Sequence, residues 1–404
     1  MSENASKSPL SIADRAIAQK LEEIPRSGIR DFFDIVTSMK DVISLGIGEP
    51  DFVSPWHIRE HAIYALERGA TSYTSNLGIA KLRQMLSGYI ERVFQLSYNP
   101  DDEILITVGV SEALDLAIRA ITNPGDEIIY HEPCYVSYRP LIVLAHGVPV
   151  AIETRMEDGF RITKESFEAA ISSKSKAIIL NYPNNPTGSY LPEAEARVIA
   201  ELAQKHDLIV ITDEIYAELT YDDTHVSLAS FPGMKERTIF LHGFSKAWAM
   251  TGFRVGYACA PPMLTEAMMK IHQYTMLCAP VLSQEAAIEA LRQPDKDIAE
   301  MKTAYIRRRN LVHNAFEDMG IPCRKPEGAF YAFPQIGQFG LSSHDFAMKL
   351  LENQQVAAVP GTAFGACGEG FLRCSYATSI DELRTAMERI AAFTSGLKSK
   401  NIKG

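Results

Sequence analysis

The stretch KAIILNYPNNPTGSYLPEAEARVIAELAQKHDLIVITDEIY, Lys176 to Tyr216, opens on an apolar run, turns through Pro, Asn and Gly, continues as a helical pattern and closes on a second apolar run. KAIILNY and DLIVITD are dense in Ile, Leu and Val without alternation, which predicts strands buried on both faces. The intervening LPEAEARVIAELAQKH is amphipathic. A strand, helix and strand in that order form a unit of parallel sheet.

The same rhythm extends outward. DEILITVG (Asp102 to Gly109), DEIIYH (Asp126 to His131), RTIFLHG (Arg237 to Gly243) and VGYACA (Val255 to Ala260) read as further buried strands. In SEALDLAIRAI, Leu114, Ala117, Ile118 and Ile121 share one helical face. The expected architecture is α/β, with residues 46–290 forming a large domain around a mostly parallel sheet of the seven-stranded type covered by helices. Past about residue 290 the rhythm changes to AEMKTAYIRRRNLVHNAFEDMG, GAFYAFP, a helix from Ser343 to Leu351, VAAVPG, GFLRCSYA and a last helix from Ile380 to Phe393. That order predicts a smaller α+β domain built from residues 1–45 with 291–404.

Composition narrows the function classes. Fifty acidic against 40 basic residues, a net charge of -10, disfavour a nucleic-acid footprint. Six cysteines are scattered without a CxxC pair or a metal-like cluster, as expected of free thiols in a reducing, cytoplasmic setting with no metal site. The start MSENASKSPL has no apolar leader core, and no run is long enough to span a bilayer.

Ligands of an open parallel sheet bind beyond the carboxyl ends of its strands. At those ends stand Gly109-Val110-Ser111, Tyr135, Asn185, Asp213 with Tyr216, and Ser245-Lys246. Singly each has a bland reading: Asn185 as part of a turn, Ser111 and Asp213 as caps. Five polar strand exits around one rim favour a site instead.

Three features suit a phosphorylated ligand. Ser111 is read as opening a helix after Gly109, with free amides and the positive helix end facing the rim. Ser245 adds a hydroxyl and Arg254 a charged fork. The nucleotide motif GxxxxGK[ST] is absent, and GIGEPD at Gly46 lacks the third glycine of a dinucleotide fingerprint, which disfavours a nicotinamide-dependent reductase.

In GFSKAWAMTGFRVGY (Gly243 to Tyr257), Lys246 lies among apolar residues with Arg254 close by and no acid in between. A desolvated amine near cations has a lowered pKa and can form an imine with a carbonyl. Pyridoxal phosphate supplies both that carbonyl and a phosphate, and asks for a carboxylate at its ring nitrogen. Asp213, ending the strand DLIVIT, is the candidate.

With PNNPTG, DEIY and SKxxxMTGxRxGY in this order and spacing, the sequence resembles the class I aminotransferases of the aspartate aminotransferase superfamily, pyridoxal-phosphate fold type I. The resemblance runs from SLGIGEPDF to FLRCSYATS and is nearest to archaeal aromatic aminotransferases and bacterial N-acetyl-diaminopimelate aminotransferases. It implies that Lys246 is the Schiff-base lysine and the base that moves the Cα proton. Asp213 pairs with the pyridinium nitrogen, Asn185 and Tyr216 bond the ring hydroxyl oxygen, and Tyr135 stacks on the ring. Val110, Ser111, Ser245 and Arg254 hold the phosphate, joined by Tyr73 from a neighbouring subunit, so a homodimer with shared active sites is expected. Arg373 grips the substrate α-carboxylate, with Asn185 beside it and the backbone of Gly48 closing on the same group; the bland reading of Arg373 is a salt bridge inside the small domain.

The implied activity is transfer of an amino group from an L-amino acid to a 2-oxo acid, with 2-oxoglutarate as the expected acceptor, in amino acid biosynthesis. The segment QYTMLCAPVLSQ (Gln273 to Gln284) carries no basic residue where dicarboxylate-specific relatives place an arginine, which disfavours a dedicated aspartate enzyme. One departure is Gly243, where many relatives have a serine or threonine. His242 beside it reads as a packed or capping histidine. Two other functions fit the same cofactor chemistry: a C–S lyase, and a non-catalytic cofactor-binding sensor module, for which the segment ahead of SLGIGEPDF is too short and too acidic to add a DNA-binding domain.

Overall fold

A computed structural model describes residues 16–24, 39 and 41–401. Strand β1 (Ile43–Ser44) is followed by β2 (Ile104–Thr107), β3 (Glu127–Glu132), β4 (Val148–Glu153), β5 (Ser175–Asn181), β6 (Ile209–Asp213), β7 (Thr238–Gly243) and β8 (Gly256–Cys259). The last seven form one sheet in the order β2-β8-β7-β6-β5-β3-β4. From β7 through β4 every neighbour is parallel, whereas β8 runs antiparallel to both β2 and β7. VGYACA, read from its apolar run as one more buried strand, therefore returns against the direction of the others. Apolar runs carry no mark of direction.

The edge strand β4 has no counterpart among the expected strands. Its sequence, VPVAIE, contains a proline and is buried at only one of six positions. An edge strand covered on one face lacks the continuous apolar run by which central strands are recognised.

Successive residues of the central strands enter different cores. Ile178, Leu180 and Val210 pack on one face, while Ala177, Ile179 and Ile211 pack on the other. Each fully buried isoleucine contributes about 1.5–3 kcal/mol of burial, so both faces pull the strand inward. Leu114, Ala117, Ile118 and Ile121 are all buried on the helix Gly109–Ile121, as their shared face implies.

The C-terminal part holds β9 (Tyr331–Ala332), β10 (Val356–Ala357), β11 (Val359–Pro360) and β12 (Leu372–Ser375), with β11-β12-β9 forming an antiparallel sheet. Three helices accompany them: Pro294–Asp318, Ser343–Gln354 and Ile380–Asn401, the last longer than the expected stop at Phe393. The expected share of residues 1–45 in this unit falls largely outside the described residues. Within them, β1 pairs in parallel with β10, whereas the turn Gln19–Glu23 departs from the expectation and meets the large domain, Lys20 donating to the Leu144 carbonyl at 3.2 Å and Arg139 to the Glu23 carbonyl at 3.1 Å.

Gly243 finds its explanation in the strand that runs the other way. It stands opposite Gly256 across β7 and β8. A Cβ on Gly243 would lie 2.9 Å from Gly256 Cα and 3.0 Å from Val110 Cγ2, and one on Gly256 would lie 2.7 Å from the backbone of Gly109 and Val110. The glycine pair lets the strands pass under the start of the helix Gly109–Ile121. Gly243→Ser is expected to destabilise the protein by about 1–3 kcal/mol through overpacking, read as a lower urea midpoint by circular dichroism.

Candidate active site

At the carboxyl end of β2 the chain turns through Gly109, whose φ is +75°. The helix begins there, with Val108 as its cap, so Ser111 is its third residue rather than its opening one. A Cβ on Gly109 would come within 2.6 Å of an Arg254 guanidinium nitrogen, so both backbone conformation and space call for glycine. Amides of the first helical turn have no intrahelical acceptor. Arg254 donates to the Thr251 carbonyl at 3.1 Å, and among the described residues no carboxylate lies within ion-pair distance of it. Helix start, guanidinium and the buried Ser245 residue thus line the same cavity, a combination suited to an anion.

Lys246 follows the end of β7. Its Nζ donates to the Gly48 carbonyl at 2.6 Å and lies 5.7 Å from the Tyr216 ring centroid and 5.6 Å from that of Phe330. Burial lowers its pKa from 10.5 to about 8; Arg373 and Arg254 push the same way, while Glu49 and Asp213 oppose them. An amine of this kind is partly neutral, and therefore nucleophilic, near pH 8.

Asp213 ends β6 and is buried. Burial pushes its pKa up to about 6, against the pull of the hydrogen bonds it accepts from the Tyr138 hydroxyl at 2.8 Å and the Ile215 amide at 3.4 Å. Asn181, its register partner on β5, donates to the Asp213 backbone carbonyl at 2.8 Å and accepts from the Asn185 amide at 3.1 Å. That brace holds the Asn185 turn against the end of β6.

Arg373, on β12, is buried with no carboxylate within ion-pair distance among the described residues. It donates to Asn185 Oδ1 at 3.0 Å and to the Gly46 carbonyl at 2.6 Å, lies over the rings of Tyr331 and Phe364 at 4.7 and 4.8 Å, and its Nε has no partner. The salt bridge inside the small domain considered from sequence is absent among the described residues. Gly48 borders the same spot, since a Cβ there would lie 3.1 Å from Tyr331 Oη and 3.9 Å from both terminal nitrogens of Arg373.

These groups line one cavity of about 380 Å³. It brings together Gly48, Val110, Ser111, Tyr135, Asn185, Asp213, Tyr216, Ser245, Lys246, Arg254 and Arg373. Tyr73 is the exception: it is 82% exposed and does not line the cavity of its own chain. His242 packs as expected, with Nε2 3.1 Å from Glu218 and Nδ1 accepting the Gly243 amide at 2.7 Å.

Besides the brace Asn181, three residues escaped the sequence reading. Tyr331 bonds the Tyr216 hydroxyl at 2.9 Å, Tyr138 holds Asp213, and Glu49 lines the mouth while accepting from Thr251 at 2.9 Å. Tyr331 lies in GAFYAFP, whose apolar pattern signals only a strand. Tyr138 lies three residues past Tyr135, and nothing in EPCYVSY says which ring faces the strand ends.

The family model for aminotransferase class I and II matches residues 40–390. The Bacillus subtilis aminotransferase-family protein YugH is 53% identical over 93% of this chain and 98% of its own, and an aspartate aminotransferase of Pyrococcus abyssi is 44% identical over 93% and 97%. A crystal structure of an aromatic aminotransferase from Pyrococcus horikoshii superposes with a TM-score of 0.87 at 41% identity, covering 92% of this chain and 99% of that one.

Lys246 is expected to acetylate with a pH midpoint near 8 in competitive labelling with acetic anhydride, while exposed lysines follow the ordinary value near 10.4. Peptide-resolved mass spectrometry of the ligand-free protein checks this. The sign follows from burial, which favours the neutral, reactive amine.

Proposed function

The chain belongs to the aminotransferase class I and II family, and from that premise we propose that it is a pyridoxal-phosphate-dependent transaminase moving an amino group from an L-amino acid to a 2-oxo acid, with 2-oxoglutarate as acceptor. The observation that carries the reading is a low-pKa lysine sharing one cavity with a buried carboxylate and two guanidinium groups that, among the described residues, have no carboxylate partner.

The donor set fits the cofactor. Among the described residues the buried Asp213 carboxylate accepts hydrogen bonds only from neutral donors, the Tyr138 hydroxyl and the Ile215 amide, which leaves it suited to a cationic N–H. The amides at Gly109 to Ser111, the Ser245 hydroxyl and Arg254 fit a phosphate, and Val110 closes the turn beside them. When bound, pyridoxal phosphate supplies a carbon at the aldehyde level for amine exchange and a ring that accepts electrons. Tyr135 offers an aromatic face, and Asn185 and Tyr216 offer hydrogen bonds to a ring oxygen.

The chain's own work is then binding and proton movement. Arg373 holds the substrate α-carboxylate through its fork, and Gly48 leaves room for that group. Lys246 Nζ, poised near neutrality, takes the proton from the substrate Cα and returns it elsewhere. Fixing the carboxylate at Arg373 orients the Cα–H bond, which favours deprotonation over decarboxylation.

The division into a large domain at 46–290 and a small one after it is supported by the pairing of Ile43–Ser44 with Val356–Ala357, while the described residues 19–23 hydrogen-bond to the large domain instead; the cavity is lined from both parts. A homodimer with shared sites is supported by exposed apolar side chains, among them Tyr73, Trp56, Tyr64, Met263 and Tyr274, with Tyr73 reaching a neighbour's phosphate. Free cysteines support a cytoplasmic setting. No helix among the described residues is long and apolar enough to cross a membrane.

Lys246→Ala is expected to lower turnover by at least about 10²–10⁴-fold, the range of a lost general acid–base group. Arg373→Ala removes a charge-assisted contact and should cut kcat/KM by about 10- to 150-fold. Both are read by glutamate formation from 2-oxoglutarate with single amino acids as donors, which also identifies the donor. Pyruvate and ammonia released without an acceptor, or wild-type turnover in Lys246→Ala, would overturn the assignment. Sedimentation of the holoenzyme should give the mass of two chains.

A further inference from the structure

The segment Gly46–Asp51 is pinned at both ends and touches two cavity cations in between. At its start the Leu45 amide donates to the Ala357 carbonyl at 2.8 Å, and the Leu45 carbonyl accepts from Ser375 at 2.6 Å. At its end the Asp51 carboxylate accepts two hydrogen bonds from the Arg308 guanidinium, at 2.7 and 2.9 Å. That guanidinium also lies over the rings of Phe52 and Tyr305, at 5.0 and 5.6 Å, and the two rings meet edge to face. Between the anchors, the Gly46 carbonyl accepts from Arg373 and the Gly48 carbonyl accepts from Lys246, each at 2.6 Å.

We propose that Asp51 and Arg308 are positioning residues: their two-pronged pair holds the strap Gly46–Asp51 so that its carbonyls aim Arg373 and cover Lys246. The strap carries glycine at 46 and 48, where no side chain can wedge it, and glycine leaves the backbone more conformations to choose among. A single-point charge contact would fix the end of such a strap in position only. The planar fork of an arginine on a carboxylate fixes direction as well, and stacking on Phe52 and Tyr305 prevents the guanidinium from rotating away. Arg308 belongs to the helix Pro294–Asp318 and Lys246 to the end of β7, so the strap transmits the placement of that helix to the reacting amine. The pair itself is partly exposed, with side-chain exposures of 11% for Arg308 and 28% for Asp51. Pairs of that kind add little to global stability, which leaves local order as the effect to measure.

The inference rests on the transaminase reading only for which ligands the two cations meet. The test uses D51N, R308Q, R308K and the D51N/R308Q double variant. In ligand-free protein, the Lys246 labelling midpoint should move away from about 8 in each, because the strap provides both the burial that lowers it and, through Glu49 and the Gly48 carbonyl, the contacts that raise it. In holoenzyme, kcat/KM should fall about tenfold, the loss of roughly one charge-assisted contact, with the double variant no worse than either single one. R308K should resemble R308Q, because it keeps the charge and loses the fork. A midpoint that stays at about 8 in D51N and R308Q overturns the proposal, as do single-variant losses that multiply in the double. The midpoint is read without substrate, so a failed transaminase assay leaves this test standing.

Discussion

Mutual repulsion among Lys246, Arg254 and Arg373, held around one cavity, is the constraint on which the rest of the site depends. Burial alone disfavours the charged lysine, and two guanidinium groups nearby push it further toward the neutral amine. Glu49 and Asp213 offset this only in part, and among the described residues Arg254 and Arg373 are met by carbonyl and amide oxygens rather than by ion pairs. Their charge remains available to an anionic ligand, and the lysine remains available to a carbonyl.

Holding cations together demands a rigid frame, and the parallel sheet provides it. Asn181 and Asp213 are register partners on neighbouring strands, so the carboxylate and the brace that supports Asn185 are set by the same ladder. The reversed strand β8 completes the frame. Its Gly256 faces Gly243, and the space this opens lets the helix start at Gly109 approach both the end of β7 and the Arg254 guanidinium. Glycine at 243 is thus a packing requirement of this chain, settled by distances of about 3 Å to Gly256 and Val110.

Much of the site was legible because strand ends are legible. Lys246, Asp213 and Asn185 each follow an apolar run closely, and ligands collect beyond the carboxyl ends of parallel strands. Arg373 is visible as a charge in an otherwise apolar strand. Tyr331 and Tyr138 were not: an aromatic in a strand or turn is equally at home in a core, and only its hydroxyl partner distinguishes the two. The edge strand β4 was hidden for the related reason that an edge needs no continuous apolar face.

By itself the sequence determined the α/β class, the order of the buried strands and the identity of the chemical groups at their ends. Those are local properties, written in runs of apolar residues and in the residue types that follow them. Only the tertiary structure decided that β8 runs backward, that Arg373 meets an amide oxygen and a carbonyl, and that Asp51 clamps to Arg308 across 257 residues of chain. Each of these depends on distances between segments far apart in sequence, and residue order carries no direct record of such distances.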